Sequence, residues 1–477
     1  MKGALDSATT LRAAGRKPAL PLRVALADGT ILTVTRLLRV LPGKRVVGEG
    51  SLDGARVLAK LFIARRGSAR HWEQERAGIA ALVAQDIATP RVLGEGALAL
   101  GGHYLLTEFI ADAESLDEAW QRVASDPART RALAVLAPAL ATLARMHARG
   151  LAQADLHLGN FLRRNEAVYV IDGDAIRTPN PGHPLAPDEA RANLAILLGQ
   201  LPPAADELLP ALVASYRGGD PAPEPELATL REEIARVRRW RLRDYLAKTL
   251  RDCSLFKVEQ RRDRFSATVR SEAERLAPLV AEPDQWLEGG RLLKDGGTAT
   301  VAATELDGRT LVIKRYNIKG AGHALSRLWR PSRAWHSWVE GHRLGFLGIA
   351  TPRPLALVER RFGPLRGRAW LVTEHCAGPN LLAHLAPDSA PPAAEAQALR
   401  RLFAALHRER ISHGDMKATN LLWDKGEVVL IDLDAMRQHA AAASHATAWR
   451  RDRDRLVRNW PADSALACWL DANLPPA

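Results

Sequence analysis

At 477 residues the chain is longer than one hydrophobic core usually supports, and 47% hydrophobic with 25% charged residues is typical of a folded, soluble protein. Its three widely spaced cysteines argue against a disulfide framework or a zinc site and fit a reducing cytoplasm. The formal charge of +13 predicts an acidic partner, either nucleic acid, an anionic membrane or a phosphorylated substrate. A general bias toward arginine in the proteins of the source organism would give the same charge.

The first twenty residues contain charged side chains and no continuous apolar block, so neither a signal peptide nor a membrane anchor is predicted. The longest apolar run, Ala132 to Ala144, contains Pro138 and is too short to span a bilayer. We interpret it as a buried core helix. These features predict a flexible N-terminus at 1–20 and a cytoplasmic protein.

Each half of the chain opens with an antiparallel meander. Apolar and polar residues alternate from about residue 32 to residue 62, with an Asp-Gly hairpin, and the second half repeats this pattern around its own Asp-Gly. A lysine, Lys60 or Lys314, follows each hairpin glycine by six residues on an otherwise apolar strand. Such a lysine must lie near an anion or be destabilised by burial, unless it sits on an edge strand facing water.

A helix and two more strands follow each lysine strand. The segment Ile-Ala-Thr-Pro-Arg occurs at 87–91 and 349–353, and a helical glutamate precedes each copy. Allowing about one extra helical turn in the first half pairs Glu75 with Glu340, with Glu73 as a competitor. A strand pair follows each Thr-Pro-Arg and ends in the segments 105–110 and 371–376, which contain Glu108 and Glu374.

The same polar pattern then occurs once in each half. An aspartate is followed by an asparagine after five residues and by a second aspartate, at the end of a short apolar strand, after seventeen. The two sets are Asp155, Asn160 and Asp172, and Asp415, Asn420 and Asp432. Two matches at both spacings indicate a duplicated domain.

Phosphoryl transfer needs these residue types. The reaction requires a carboxylate near the attacking hydroxyl and oxygen ligands for Mg²⁺. We therefore predict Asp155 and Asp415 as catalytic bases or hydroxyl-orienting groups. The predicted metal ligands are Asn160, Asp172, Asn420 and Asp432. A polar turn before an ordinary hairpin is the alternative for a single set.

The pattern resembles the catalytic loop and metal-binding aspartate of protein kinases, with Asp432-Leu433-Asp434 where kinases usually have Asp-Phe-Gly. The resemblance implies an α+β fold class: two tandem protein-kinase-like domains, each a small antiparallel β lobe plus a mainly helical lobe. We place the first at 21–280 and the second, with a short C-lobe, at 281–477.

The resemblance also implies roles in nucleotide binding. Each lysine would hold phosphates and be held by the helix glutamate, the strand ends would form an adenine-binding hinge, and a glycine-rich turn would cradle phosphate. The implied cofactor-binding residues are Lys60, Glu75, Glu108, Gly296, Gly297, Thr298, Lys314, Glu340 and Glu374.

Two stretches combine arginine with tryptophan. One is a strongly basic predicted helix from Leu227 to Arg251 that contains Trp240 and Tyr245, and the other covers 327–338. Arginine beside tryptophan at a surface suits lipid headgroups or a phosphorylated sugar. A solvated helix face is the alternative.

With both loops, both lysines and both metal-binding aspartates, the chain from about Leu22 to Arg437 resembles a tandem pair from the bacterial lipopolysaccharide kinase (Kdo/WaaP-like) family. The resemblance implies ATP and Mg²⁺, a heptose or Kdo hydroxyl of the lipopolysaccharide inner core as acceptor, and peripheral contact with the anionic inner membrane from the cytoplasmic side. A nucleic-acid partner rests on charge alone and is not predicted.

Three features refine this expectation. Gln153-Ala154 replaces His413-Gly414 in the first loop, which we expect to perturb the support of Asp155. The first phosphate turn contains Pro42 and lacks a Gly-Gly pair. We therefore predict an active second half and leave the first open between an active site and a support domain. The short segment after Asp432, without an Ala-Pro-Glu motif, favours a small or glycolipid acceptor over a protein.

Two other functions remain open from the sequence. One is a protein kinase or an aminoglycoside-type small-molecule kinase. The other is a pseudokinase scaffold of a membrane-associated envelope-biosynthesis assembly, although complete Asp and Asn sets in both halves argue against two pseudokinases.

Overall fold

The computed structural model describes residues 5–124, 130–218, 226–317, 331–363 and 365–476. Its contacts divide the chain into two units, Met1–Arg238 and Arg239–Ala477. Each unit combines antiparallel β-sheets with α-helices, so the α+β class holds for both.

The first unit begins with a sheet and continues mainly as helices. Its strands are β1 Leu22–Ala25, β2 Ile31–Leu41, β3 Arg45–Leu52, β4 Ala55–Phe62, β5 Val92–Ala97, β6 His103–Glu108, β7 Glu114–Ser115, β8 Ala152–Gln153, β9 Phe161–Arg164, β10 Ala167–Val170 and β11 Ile176–Arg177. Its helices are α1 Ala8–Ala13, α2 Ser68–Ala84, α3 Leu116–Val123, α4 Thr130–Ala148, α5 Pro187–Leu198 and α6 Leu209–Arg217, and α7 Leu227–Lys248 contains the boundary between the units.

The second unit repeats this order. Its strands are β12 Phe256–Gln260, β13 Arg264–Val269, β14 Arg291–Gly296, β15 Ala299–Leu306, β16 Arg309–Tyr316, β17 Pro354–Phe362, β18 Leu365–Glu374, β19 Ile411–Ser412, β20 Leu421–Asp424, β21 Glu427–Leu430 and β22 Arg437–Gln438. Its helices are α8 Ala277–Ala281, α9 Pro283–Glu288, α10 Arg333–Phe346, α11 Leu381–His384, α12 Ala393–Arg408, α13 Ala442–Val457 and α14 Ala465–Asn473.

Five strands are common to the two large sheets and occur in the same spatial order. The first sheet is β1-β2-β3-β4-β6-β5, and the second is β14-β15-β16-β18-β17 extended beyond β17 by β13 and β12. Lys60 lies opposite Val47 and Leu105, so its strand is paired on both sides. Lys314 is likewise paired on both sides. The edge-strand alternative for the lysines is therefore wrong.

The predicted Asp-Gly hairpins have the backbone that such a turn needs. Asp53 and Gly54 have φ of 47° and 81°, and Asp307 and Gly308 have φ of 50° and 72°. Positive φ at both central residues is the type I′ arrangement, whose twist matches that of the flanking strands. These turns set the register that places each lysine on its strand.

The N-terminus differs from the prediction of a flexible segment. Helix α1 begins at a Ser7 capping box and buries Ala8 and Leu11 against the first sheet. The N–H of Ala8 also donates to the carbonyl of Leu100 at 3.3 Å. Apolar burial and this hydrogen bond hold helix α1 against the first sheet.

The boundary predicted at residue 280 also differs from the division at Arg238 and Arg239. Strand β13 pairs with β17, with Phe265 opposite Glu359, and β12 pairs with β13. Residues 256–269 therefore belong to the second sheet. A pairing over such a sequence separation leaves no local signal in the β12–β13 hairpin.

The apolar run at 132–144 lies within α4, where it forms part of the helical core of the first unit. Within the described ranges, no helix is long and apolar enough to cross a membrane. In the second arginine and tryptophan stretch, Trp338 is fully buried, and Arg333 and Trp335 are half-buried. Residues 327–330 of this stretch lie outside the described ranges.

Candidate functional site

The aspartate after the short strand has the same unusual backbone in both units. Asp172 and Asp432 have φ of 65° and 62°, a left-handed conformation that non-glycine residues seldom adopt unless their surroundings hold it. The residue before each aspartate donates its N–H to the carbonyl of the loop asparagine, Asn160 at 2.9 Å and Asn420 at 3.0 Å. The predicted metal ligands are thus brought together in each unit.

Both loop asparagines are oriented by their own catalytic loop. The Nδ2 atoms of Asn160 and Asn420 each donate to the backbone carbonyl of the loop aspartate, Asp155 or Asp415, at 2.9 Å. The Oδ1 atom of Asn160 is buried and has no hydrogen-bond partner among the described residues. A buried carbonyl oxygen without a donor suits a hard cation.

Among the residues that the structure describes, no group of three or more His, Cys, Asp and Glu side chains could hold a metal ion. Mg²⁺ in phosphoryl-transfer sites is usually held by one or two carboxylates, with phosphate oxygens and water completing its shell. One aspartate and one asparagine per unit therefore fit this ion.

The residue two positions before the loop aspartate supports the post-strand turn. In the second unit, Nε2 of His413 donates to the carbonyl of Ile431 at 2.9 Å. In the first, Nε2 of Gln153 donates to the carbonyls of Ile171 and Asp172 at 2.9 and 3.1 Å. The amide of Gln153 thus reaches the same carbonyl position as the imidazole of His413, and the expected effect of Gln153-Ala154 on the support of Asp155 stays a prediction.

A helix residue also holds the loop backbone in each unit. On α13, the carboxylate of Asp452 accepts from the N–H groups of His413 and Gly414, at 2.6 and 3.0 Å. On α5, Nδ2 of Asn193 donates to the carbonyl of Gln153 at 2.8 Å. These contacts fix the catalytic loops to the helical part of each unit.

Lys60 lies in a buried cluster of opposite charges. Its Nζ atom is 2.5 Å from Oε1 of Glu75 on α2 and 2.8 Å from Oδ1 of Asp172. Burial alone would lower the pKa of Lys60, but attraction by these carboxylates outweighs it, and the pKa is raised. Burial raises the pKa of Asp172, whereas Lys60 and Arg45 lower it to about 2.

Lys314 has a different pair of partners. Its Nζ atom is 2.5 Å from Oδ1 of Asp432 and 2.9 Å from Oδ1 of Asp434. Burial lowers the pKa of Lys314, but the surrounding groups, Tyr316 and the two aspartates, raise it overall. Both lysines are therefore protonated at neutral pH.

Glu340 is not among the partners of Lys314. Its carboxylate binds the guanidinium of Arg343 one turn along α10, with Nε of Arg343 at 2.8 Å from Oε2. Glu340 is therefore not equivalent to Glu75 in its contacts. Glu75 binds the lysine of its unit, whereas Glu340 binds Arg343.

The two loop aspartates have different surroundings. Oδ1 of Asp415 is 2.7 Å from Nη1 of Arg455 on α13 and 3.0 Å from Nζ of Lys417. Burial raises the pKa of Asp415, but these cations hold it below its usual value. Asp155 is exposed, and no ion pair to it occurs within the described ranges.

At the predicted adenine-binding hinge, two backbone N–H groups already form hydrogen bonds within the protein. The N–H groups of Glu108 and Glu374 donate to the carbonyls of Arg91 and Arg353, at 2.9 and 3.1 Å, and Arg309 binds the Glu374 carboxylate. The amide nitrogens of these two residues are therefore not available to adenine.

The glycine-rich turn closes the β14–β15 hairpin. Gly296 lies opposite Ala299, and Gly297 and Thr298 form the turn itself. Asn317 donates to the carbonyls of Gly296 and Thr298, at 3.3 and 3.1 Å. A cleft of about 670 Å³ lies beside this hairpin and His375, but neither the turn nor Lys314 lines it.

Sequence reasoning assigned no role to several side chains of the site. Arg45 on β3 binds Glu75 and Asp174, at 3.4 and 3.1 Å, and Asp434 binds Lys314. Asp174 and Asp434 both lie two residues after the predicted metal ligand, and this repetition was the signal that could have identified them. Arg455 lies 40 residues after Asp415 and carries no local signal.

The chain matches a known protein family over more than half of its length. The profile of the lipopolysaccharide kinase (Kdo/WaaP) family matches residues 59–180 and 284–463. These two segments contain both lysines, both catalytic loops and both post-strand aspartates.

Individual relatives resemble part of the chain. A 3-deoxy-D-manno-octulosonic acid kinase of Stenotrophomonas maltophilia (strain R551-3) is 31% identical over 199 residues, which cover 39% of this chain and 78% of the relative. The enzyme of the same description from Xylella fastidiosa (strain M12) is 29% identical over 185 residues, 37% of this chain and 72% of the relative. A solved structure of WaaP in complex with acyl carrier protein is similar at 19% identity and a TM-score of 0.32, covering 44% of this chain and 86% of that one.

Proposed function

Because the chain belongs to the lipopolysaccharide kinase (Kdo/WaaP) family, we propose that it transfers the γ-phosphoryl group of ATP to a heptose or Kdo hydroxyl of the lipopolysaccharide inner core. The observation that carries this proposal is the recurrence, in both units, of a central-strand lysine bound to the post-strand aspartate beside a loop asparagine and a loop aspartate. We propose that each unit is one protein-kinase-like domain.

The residues of each unit have distinct tasks in this reaction. Lys60 and Lys314 hold the nucleotide phosphates, for which their protonated state at neutral pH is suited. Mg²⁺ bound by the asparagine and the post-strand aspartate would neutralise charge that develops on the phosphates.

Asp155 and Asp415 orient the acceptor hydroxyl. The lowered pKa of Asp415 keeps it ionised at neutral pH, so that it accepts a hydrogen bond from the hydroxyl at all times. A loose phosphoryl-transfer transition state needs positioning and charge stabilisation more than early proton removal. An orienting role is therefore the one that its electrostatics supports.

The acceptor and the location follow from the family and the surface. The similarity to two kinases of 3-deoxy-D-manno-octulosonic acid supports a core sugar as acceptor. We propose a cytoplasmic enzyme in peripheral contact with the anionic inner membrane. On α7, the indole of Trp240 is 58% exposed, and Arg239 and Arg243 beside it are exposed as well.

The test is transfer of phosphate from Mg²⁺-ATP to dephosphorylated lipopolysaccharide core, with the product mapped by mass spectrometry. We compare the unmodified chain with Asp155→Asn and Asp415→Asn, and with Asp454→Asn as a charge-matched control on the exposed side of α13. Asp415→Asn should lower transfer at its position by about 10²- to 10⁴-fold, the scale for losing a positioned base.

Loss of a different phosphate in each variant would support two active units. If only Asp415→Asn matters, the first unit is a support domain. Absence of any transfer to the core by the unmodified chain would overturn the lipopolysaccharide acceptor.

A further inference from the structure

The two units supply the carboxylates around the lysine from different elements. Lys60 is bound by Glu75 from helix α2 and by Asp172 from the post-strand turn. Lys314 is bound by two carboxylates of the post-strand turn, Asp432 and Asp434. The second unit therefore holds its lysine without a helix glutamate.

The helix position that matches Glu75 is occupied by a serine. Glu75 lies twelve residues before the Ile-Ala-Thr-Pro-Arg segment of the first unit, and Ser337 lies twelve residues before that of the second. Helices α2 and α10 also end at the same distance from these segments. The two helices thus align without an insertion, and the side chain that faces the lysine site from α10 carries no charge.

Asp434 occupies the space that a helix glutamate would need. Its Oδ1 atom accepts from Nζ of Lys314 at 2.9 Å, the hydroxyl of Tyr316 at 2.7 Å and the hydroxyl of Ser337 at 2.9 Å. Nη1 of Arg333 lies 3.8 Å from its other oxygen. Three donors converging on one oxygen fix the carboxylate between the lysine strand and α10.

The equivalent aspartate of the first unit has another partner. Asp174 binds Arg45 at 3.1 Å, and Glu75 forms the ion pair with Lys60. Helix α2 can approach the turn there because Gly78 and Gly173 are in backbone contact, and a Cβ atom on Gly78 would overlap the carbonyl of Gly173. Leu433 stands where Gly173 is in the first unit, so this approach is not repeated.

We propose that Asp434 is the positioning residue that aligns Lys314 with the nucleotide phosphates, replacing the helix glutamate that serves Lys60 in the first unit. The inference rests on the proposed kinase function. In the second unit, the post-strand turn then has two tasks. It holds the metal through Asp432 and orients the side chain of Lys314 through Asp434.

The experiment measures steady-state turnover of Mg²⁺-ATP by the full-length chain carrying Asp155→Asn, both as transfer to the lipopolysaccharide core and as hydrolysis without acceptor. Asp434→Asn should lower kcat by roughly 10- to 100-fold, the scale of losing a hydrogen bond to a charged group. The KM for Mg²⁺-ATP should change little, because the charge of Lys314 remains.

Rescue distinguishes alignment from folding. Ser337→Glu combined with Asp434→Ala, which clears the space that an asparagine would still fill, returns a carboxylate to the helix position of Glu75 and should recover at least tenfold in kcat over Asp434→Ala alone. Asp454→Asn removes an exposed carboxylate of the same unit, and kcat should stay within about twofold. Thermal unfolding verifies that each variant is folded.

Unchanged kcat in Asp434→Asn overturns the inference, as does a folded double variant without recovery. If Asp434→Asn raises the Mg²⁺ concentration for half-maximal rate tenfold and Ser337→Glu does not reverse this rise, Asp434 is a metal ligand. That result would also overturn the inference. A chain that turns over no Mg²⁺-ATP at all refutes the proposed function together with the inference, whereas turnover without transfer to the core refutes only the acceptor.

Discussion

Arg455 sets the charge around the proposed hydroxyl-orienting carboxylate of the second unit. Its Nη1 atom binds both Oδ1 of Asp415 at 2.7 Å and the carbonyl of Gly414 at 2.9 Å. Asn193 of the first unit matches Asp452 by its contacts, and the residue three positions later is Ile196, where the second unit has Arg455. A guanidinium beside the loop aspartate is thus particular to the second unit.

We expect Arg455→Gln to move the acid limb of the pH–rate profile to higher pH. The cation favours the ionised form of Asp415 and lowers its pKa, so its removal lets that pKa rise, and activity is then lost earlier as the pH falls. At pH 7.5 the carboxylate stays ionised, and kcat should remain within about tenfold. The measurement is transfer from pH 4 to pH 8 in the Asp155→Asn chain.

Arg458→Gln is the matched control, because Arg458 lies at the end of the same helix and its Nε atom binds the carbonyl of Asp454 instead of Asp415. An acid limb at the same pH in Arg455→Gln and in the control would refute the electrostatic account of Asp415.

At the scale of elements, His147 connects helix α4 to the first catalytic loop. The imidazole is fully buried, with Nδ1 at 2.7 Å from the hydroxyl of Tyr216 and Nε2 at 3.0 Å from Oδ1 of Asn193, which in turn binds Gln153. Burial lowers the pKa of His147 to about 4, despite an opposing contribution from Asn193. The neutral imidazole is therefore part of the fold.

This histidine predicts an acid-dependent loss of stability. Between pH 6.5 and about 4 the unfolded chain binds a proton that the folded chain excludes, so the free energy of unfolding falls as the pH is lowered, by up to ~3 kcal/mol. His147→Gln should lack this part of the pH dependence. The measurement is urea unfolding at pH 7 and pH 4.5, followed by circular dichroism.

The exposed His183 provides the control, and His183→Gln should retain the dependence of the unmodified chain. His342 of the second unit, whose pKa burial lowers to about 3, gives a similar background in all three proteins. Equal pH dependence in His147→Gln and in the unmodified chain would contradict the prediction.

Elements with local signals were predictable from the sequence. The lysine strands follow from a period-two pattern and Asp-Gly turns, and the catalytic loops follow from spacings shorter than twenty residues. The β12–β13 hairpin was not assigned to its sheet because its partner β17 lies about ninety residues away. Glu340 was predicted because the expected role needs a glutamate. Counting back twelve residues from the Ile-Ala-Thr-Pro-Arg segment without a gap gives Ser337 instead. The structure shows that Asp434 supplies the carboxylate that Ser337 lacks.

At the scale of the whole molecule, the net charge of +13 favours an anionic partner, and helix α7 presents exposed arginines beside an exposed tryptophan. Of the cationic residues on α7, Arg238 is bound to Asp206 and Lys248 to Asp244, whereas Arg239 and Arg243 are exposed beside Trp240. The predicted basic helix is therefore partly a structural element. Its exposed arginine and tryptophan side chains are what an anionic interface would meet.

We expect the protein to bind vesicles of phosphatidylglycerol and phosphatidylcholine, and not vesicles of phosphatidylcholine alone, with binding that weakens as salt is raised. Trp240→Ala removes the interfacial anchor, and Arg239→Glu reverses a charge worth about 1 kcal/mol per unit near such a surface, so the reversal should weaken binding by roughly tenfold or more. Vesicle co-sedimentation measures both.

Arg231→Glu changes the net charge equally at an exposed position nearer the start of α7, and it separates local contact from overall charge. Because an exposed charge about two and a half helical turns from the indole is largely screened by solvent, this variant should bind almost as well as the unmodified chain. If Arg231→Glu weakens binding as much as Arg239→Glu, attraction is a property of the total charge and Trp240 marks no interface. If only Phe362→Ala releases the protein, the contact lies at the β17–β18 hairpin, where that ring is 84% exposed.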